Sequence, residues 1–267
     1  MPGAPNTNGG VRGCIRRKDL KSGGASGIGL GIIRHFAPRP NTHITISDIN
    51  ARTGVTVLDQ LRSEYPSCGF RFERVDVSSC ESQAAAVDNI IAQRGRVVIV
   101  FVNAGITEKG ALLPKKDGKL TKLELVTVDV NFVGVKLPLH YISKNEAING
   151  SKGSVICTAS NAGVNPFPMA PLYSTTKHAV VGLVRSFARP LEREQIQING
   201  FAPGLLPMIL TPMSTAQRAG EQFVSNASLT GKIAELHGEH VTFVEAPAYI
   251  DEDTRKNMEI FWSLEYA

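Results

Sequence analysis

Along the chain the spacing of apolar residues switches repeatedly between two periods. GLGIIRHFA has the spacing of a helix and is stopped by Pro38. THITISD, from Thr42 to Asp48, is β-branched and apolar, as a buried strand should be. Ala51–Tyr65 returns to helical spacing, with Asn50 placed to cap it. FRFERVDV alternates toward Asp76, Ser79–Arg94 is Ala-rich and helical, and VVIVFVNAG is a continuous apolar strand ending in a turn. Leu120–Lys144 predicts a long helix with a kink or break at Pro138, where a backbone N–H is missing. GSVICTAS reads as a strand, Tyr173–Glu194 as a helix, and IQINGFAP as a strand ended by Pro203. Strands apolar on both faces, alternating with helices, predict one α/β unit: a doubly wound, Rossmann-like parallel sheet with helices on both faces. Its ligands would sit at the carboxyl ends of the strands.

One strand is missing from this pattern. SGGASGIGLG is a glycine-rich turn opening onto a helix, and an apolar strand should deliver the chain to it. The approach instead reads GCIRRKDLKS, with Arg16, Arg17, Lys18, Asp19 and Lys21 where Val and Ile are expected. In a central strand such residues would bury unpaired charge, at a cost of several kcal/mol per ion. A distorted first strand, or none, is therefore expected. The organisation reads as a basic, irregular segment over 1–21, a dinucleotide-binding catalytic domain over 22–240, and an acidic extension over 241–267.

Composition narrows the function. With 267 residues, 42% hydrophobic and 20% charged, the chain suits one globular unit. A net charge of +5 invites nucleic acid as a partner. The excess is concentrated in the first 21 residues, however, and the chain turns acidic from Glu235 onward. No nucleic-acid role is expected. Cys14, Cys68, Cys80 and Cys157 lack metal-ligand spacing, so no metal is expected. No run is long enough for a membrane span, and the Pro/Gly-rich start is unlike a secretory signal; a cytoplasmic location is expected.

The candidate chemistry lies in two places. Gly23, Gly27 and Gly29 permit a tight turn and close backbone approach to a pyrophosphate at a helix N-terminus. Asp48 closes the next strand, where a carboxylate accepts from both ribose hydroxyls of an adenosine and repels a 2′-phosphate. That favours NAD over NADP; capping of the following helix is the competing role for Asp48. Asp76 ends the next strand, where it would meet the adenine. Downstream, Ser160 stands at the end of a strand, and Tyr173 and Lys177 share one helix face. A lysine one turn from a phenol favours the phenolate, which could then take the proton of an alcohol while hydride leaves. Ser160 could hold the same oxygen. His140 and His178 read as structural.

Together these residues resemble the short-chain dehydrogenase/reductase family, from about Ser22 to Gly238. Its glycine motif appears as Ser22 through Gly29, with Ser for the usual Thr; NAG appears as Asn103, Ala104 and Gly105; YxxxK runs from Tyr173 to Lys177. Ser160 stands thirteen residues ahead of Tyr173, and Pro203-Gly204 follows the sixth strand. The resemblance implies that Asn131 joins the catalytic set, holding a water that links Lys177 to solvent. It implies that Asn103 supports the strand beside the cofactor and that Lys177 grips the nicotinamide ribose. Pro203 and Gly204 would border the nicotinamide, with Thr211 near its carboxamide. Ser26, Ile28, Val77, Ala104 and Gly105 complete the implied cofactor set. Within the family, the chain looks like fungal hydroxyprostaglandin dehydrogenase-type members. The implied activity is NAD-dependent interconversion of a secondary alcohol and a ketone, by a homodimer or homotetramer. The segment between Gly204 and Thr230 is short for a family that usually covers the substrate there with two helices. The abnormal first strand and this short cover leave a second possibility: a silent relative that binds ligand or partners without turnover.

Overall fold

The computed structural model describes residues 17–108, 125–148, 150–204 and 213–263. Eight strands form one sheet: β1 (Arg17–Ser22), β2 (Thr42–Asp48), β3 (Gly69–Arg74), β4 (Ile99–Val102), β5 (Gly153–Thr158), β6 (Ile196–Pro203), β7 (Ile233–His237) and β8 (His240–Val244). Their order is β3-β2-β1-β4-β5-β6-β7-β8, parallel throughout except at β8. The strand order reverses between β1 and β4, so the loops leaving these two strands open a crevice at the sheet's carboxyl edge.

The expectation of a distorted or absent first strand does not hold. β1 pairs with β2 from Arg17↔Thr42 to Ser22↔Ser47, and with β4 from Asp19↔Ile99 to Lys21↔Phe101. A parallel ladder is made by the backbone, and two apolar neighbours offer it on both sides; local side-chain preference is outweighed. The irregular segment expected over 1–21 is thus corrected for 17–21, while residues 1–16 lie outside the described residues.

Helices cover both faces. α1 (Gly27–Phe36), α2 (Ala51–Glu64) and α7 (Met213–Ser225) lie on one side, where Ile32, Ile33, Phe36, Ile44, Ile46, Phe101, Phe201 and Phe223 form a buried cluster. On the other side α3 (Cys80–Arg94), α5 (Lys136–Ser143) and α6 (Pro171–Arg193) pack Ile90, Ile142, Val180, Val184 and Leu191 against Val100, Val155 and Ile198. Asn50 caps α2 as expected, accepting from the Thr53 N–H at 3.1 Å. Ser79 likewise caps α3, accepting from the Ser82 N–H at 3.1 Å.

Three further expectations are modified. The long helix predicted to Lys144 is divided: α4 (Val126–Asn131) and α5 are separated by a 3-10 turn over Val133–Val135. The break falls one turn before Pro138, because its missing N–H and its ring act on the carbonyl four residues back; residues 120–124 lie outside the described residues. At the C-terminal end the sheet crosses the boundary set at 240, since β8 pairs antiparallel with β7. α8 (Glu252–Ser263) follows, and Arg193 of α6 donates to the Trp262 carbonyl at 2.7 Å. Finally, α7 packs on the sheet, with Ala216, Ala219 and Phe223 buried in the cluster it shares with α1 and α2. Any substrate cover between Gly204 and α7, including Pro207, Thr211 and Pro212, lies outside the described residues. No helix among the described residues is long and apolar enough to cross a membrane.

Candidate active site

The glycine turn between β1 and α1 is held from the side. The Gly24 N–H donates to the Ser47 carbonyl at 3.0 Å, the Ala25 N–H to Asp48 Oδ2 at 3.2 Å, and Asn103 Nδ2 to the Gly23 carbonyl at 3.2 Å. Gly23 is left-handed at φ +59°, and a Cβ at Gly29 would stand 2.2 Å from the Gly23 carbonyl oxygen. Only glycine fits either position. The first helical bond of α1 runs from the Leu30 N–H to the Ser26 carbonyl, and the exposed Ser26 makes no side-chain cap. The N–H groups of Gly27, Ile28 and Gly29 therefore lack partners within the helix, at its positive dipole end.

Two carboxylates follow this cradle. Asp48 accepts from Ala25 N–H through Oδ2 and from Asn50 N–H through Oδ1 at 3.0 Å, so it is fixed against the glycine turn; the cap of α2 is Asn50. Asp76 lies two residues beyond β3, not at its end. Its Oδ1 accepts from the Ser78 hydroxyl at 2.6 Å and the Ser78 N–H at 2.9 Å, and these bonds hold its carboxyl below the usual range. The next residue, Val77, is packed by the turn before α5: a Cβ at Gly134 would lie 3.1 Å from the Val77 carbonyl oxygen.

The expected catalytic residues come together beside the loop after β4. A Cβ placed on Gly105 would lie 3.3 Å from both Asn131 Oδ1 and Lys177 Nζ. Lys177 is 3% exposed and donates to the Thr158 carbonyl at 2.6 Å; its Nζ lies 5.6 Å from the Tyr173 ring centroid. Asn131 accepts from the Ile106 N–H at 2.8 Å and donates to the Ile106 carbonyl at 2.9 Å and to Thr176 Oγ1 at 3.0 Å. Both its side-chain donors are thus committed, so a water held by this side chain would have to donate to Oδ1. Ser160 Oγ accepts from the Ala162 N–H at 3.2 Å and lies 3.5 Å from the Pro203 carbonyl. The longer contact is one in which Ser160 Oγ donates, so its proton would have to leave the Pro203 carbonyl to reach a substrate oxygen. Asn103 joins the two halves, since its Oδ1 accepts from Thr158 Oγ1 at 3.1 Å. Ala104 packs under Gly23, and the Gly204 N–H is tied to the Leu236 carbonyl at 3.1 Å. His178 is exposed, with Nδ1 2.9 Å from the Ser174 carbonyl, off the catalytic face.

Residues with no sequence signal also enter the site. Glu108 accepts from the Tyr173 N–H at 2.5 Å, and Asn161 donates to Glu235 on β7. Cys157, fully buried on β5, neighbours Lys177. These partners are far apart in sequence, so no local pattern marks them.

Burial sets the titration of that last pair. It lowers the Lys177 ammonium from 10.5 to about 8 and pushes the Cys157 thiol from 9.0 up to about 12, each partly opposed by the charge of the other. Between pH 8 and the ordinary lysine range the unfolded chain holds a proton that folded Lys177 has lost, so stability rises with pH. Above pH 9 the folded chain keeps the Cys157 proton that the unfolded chain loses, which opposes the rise. The unfolding free energy of the ligand-free protein, from urea titrations, should therefore gain about 1 kcal/mol between pH 8 and pH 9 and then level off. In Lys177→Met the gain should vanish. In Cys157→Ala it should continue past pH 9; a flat profile in the parent protein would sink this assignment.

Comparisons with known proteins agree with the geometry. The family model described as "short chain dehydrogenase" matches residues 20–222. The short-chain dehydrogenase/reductase prx4 of Penicillium roqueforti is 36% identical over 202 residues, covering 73% of this chain and 56% of that protein. The 2,5-dichloro-2,5-cyclohexadiene-1,4-diol dehydrogenase of Sphingobium indicum is 29% identical over 219 residues, covering 82% of this chain and 84% of that one. The chain thus spans little more than half the length of the fungal relative. In fold, it superposes on a short-chain type dehydrogenase/reductase from Mycobacterium ulcerans with a TM-score of 0.70, at 22% identity over 84% of this chain and 89% of that one. The matched span takes in the glycine turn, Asn103, Asn131, Ser160, Tyr173 and Lys177 alike, and on it the chain belongs to the short-chain dehydrogenase family.

Proposed function

We propose that the chain is an NAD-linked oxidoreductase that interconverts a secondary alcohol and a ketone, with Tyr173 as the acid/base. The observation that carries this reading is the convergence of buried Lys177 and Asn131 on Gly105, with the Tyr173 ring beside Lys177 and Ser160 at the neighbouring strand end. The names of two relatives point the same way: the Sphingobium protein, and the cis-2,3-dihydrobiphenyl-2,3-diol dehydrogenase of Pseudomonas putida at 33% identity, are diol dehydrogenases. The likeness to hydroxyprostaglandin dehydrogenase-type members is a finer form of this reading. Of the two grounds for a silent relative, the loss of β1 falls away because that strand is formed, while the cover after Gly204 lies outside the described residues.

The residues present fit a nicotinamide dinucleotide. A cradle that a Cβ at Gly29 would fill leads to the free N–H groups of α1, and Asp48 is fixed beside it. Gly23, Gly27 and Gly29 would hold the pyrophosphate and Asp48 the adenosine ribose, with Asp76 and Val77 at the base. Asn103, Ala104 and Gly105 would flank the nicotinamide half, with Pro203 and Gly204 across from them. When bound, the nicotinamide supplies the hydride acceptor for an alcohol or the donor for a ketone. The protein's share is the proton. In oxidation, Ser160 donates to the substrate oxygen and orients it, and Tyr173 Oη takes the hydroxyl proton. The Lys177 charge favours the phenolate before transfer, and a water on Asn131 Oδ1 offers a path from Lys177 to solvent. In reduction the proton runs back along the same route.

The test is a fluorescence titration with NADH and with NADPH, followed by turnover across secondary alcohols and ketones. NADH should bind more tightly. In Asp48→Ser its affinity should fall about tenfold while that for NADPH rises, because a charged acceptor and a repulsive charge are removed together. Tighter binding of NADPH by the parent protein would defeat the NAD assignment. The same reading expects a homodimer or homotetramer in the cytoplasm, with sizing by light scattering as the check.

A further inference from the structure

The helix that carries Tyr173 and Lys177 starts without a cap of its own. Ala170 occupies the cap position and makes no side-chain bond, and Pro171 begins the helix. The first helical bond runs from the Ser174 N–H to the Ala170 carbonyl, so the Tyr173 N–H has no partner within α6. Glu108 supplies one from 65 residues away, its Oε2 accepting at 2.5 Å. A carboxylate suits this place twice over, as a charged acceptor and as a negative group at the positive helix end.

The loop bearing Glu108 is itself pinned. Asn131 grips both the N–H and the carbonyl of Ile106, two residues before Glu108. Asn103, at the start of the same loop, ties the glycine turn to Thr158. Glu108 therefore connects the first turn of α6 to the loop after β4, which also touches Lys177, Asn131 and the glycine cradle.

We propose that Glu108 is a positioning residue: its bond to the Tyr173 amide fixes the catalytic phenol against the loop after β4. This rests on the reading of Tyr173 as acid/base. Glu108 takes no part in the proton route; it removes freedom from the turn that bears the phenol, and small misplacements of a reacting group are costly.

The test compares Glu108→Ala, Glu108→Gln and Tyr173→Phe in the full chain, with NAD and a panel of cyclohexanol, isopropanol and benzhydrol. Glu108→Ala should lower kcat about tenfold and leave KM within about twofold, because the tether acts on geometry and not on binding. Glu108→Gln keeps an acceptor oxygen without the charge and should restore most of kcat. Amide hydrogen exchange of the first turn of α6, which needs no substrate, should quicken in Glu108→Ala and return in Glu108→Gln. Parental kcat and exchange in Glu108→Ala, with Tyr173→Phe inactive, would overturn the tether alone. Failure of Glu108→Gln to rescue either readout would overturn the hydrogen-bond role. Parental turnover in Tyr173→Phe would overturn the acid/base reading, and the catalytic role of Glu108 with it.

Discussion

Replacing Tyr173 with Phe is expected to lower turnover by about 10²–10⁴-fold while NADH still binds. The substitution removes one oxygen and leaves the backbone of α6, its bond to Glu108 and the buried Lys177 in place. The loss should therefore fall on kcat, because the phenol matters only while the proton moves. Lys177→Met should also depress turnover, and it should raise the pH at which oxidation reaches half its plateau. Lys177 carries a positive charge below about pH 8 in the folded chain, with its Nζ 5.6 Å from the Tyr173 ring centroid, and the proposed proton transfer draws on that charge. Steady-state rates of both variants from pH 6 to pH 10 in about half-unit steps would check this. Retained turnover in Tyr173→Phe would remove the mechanism, whereas an unchanged pH profile in Lys177→Met would remove only the charge argument.

The second large effect concerns stability. Asp19 is in register with Ile44 on one side and Ile99 on the other, and Lys21 with Ile46 and Phe101. All four neighbours are buried, in the cluster shared by α1, α2 and α7. Apolar, β-branched residues suit strand positions with such neighbours, and replacing ionic groups in an interior by hydrophobic ones stabilises by ~1–4 kcal/mol in favourable cases. The double substitution Asp19→Val with Lys21→Val should then raise the melting temperature by ~2–16 °C for a unit of this size. Cofactor affinity should change little, since the glycine turn is held by Ser47, Asp48 and Asn103. An unchanged or lower melting temperature would show that these two positions are already well accommodated as they are.

Much of the architecture was legible because its signals are local. Each of β2, β4, β5 and β6 is an apolar run that can only be buried, and the cap Asn50 stands where helical spacing begins. The glycines at 23 and 27 and the Tyr173–Lys177 pair are equally local: a turn with φ above zero, and two residues on one helix face. β1 was the opposite case. Its own residues argue against a strand, and two neighbouring ladders form it regardless. The split between α4 and α5 was half legible, since Pro138 announced a break but its effect falls on the preceding turn.

The sequence by itself determined the alternation of strands and helices, the glycine turn, and the pairing of Tyr173 with Lys177 on one helix, to which the proposed proton transfer is assigned. The tertiary structure alone decided what surrounds them. Asn131 is spent on Ile106 and Thr176, Lys177 is driven down in pKa by burial beside Cys157, and the Tyr173 amide is met by Glu108. Each of these depends on contacts between segments dozens of residues apart, and on desolvation, which no stretch of sequence carries alone. Local patterns specify which groups are present; only the packed sheet sets their distances, and with them their acidity and their order.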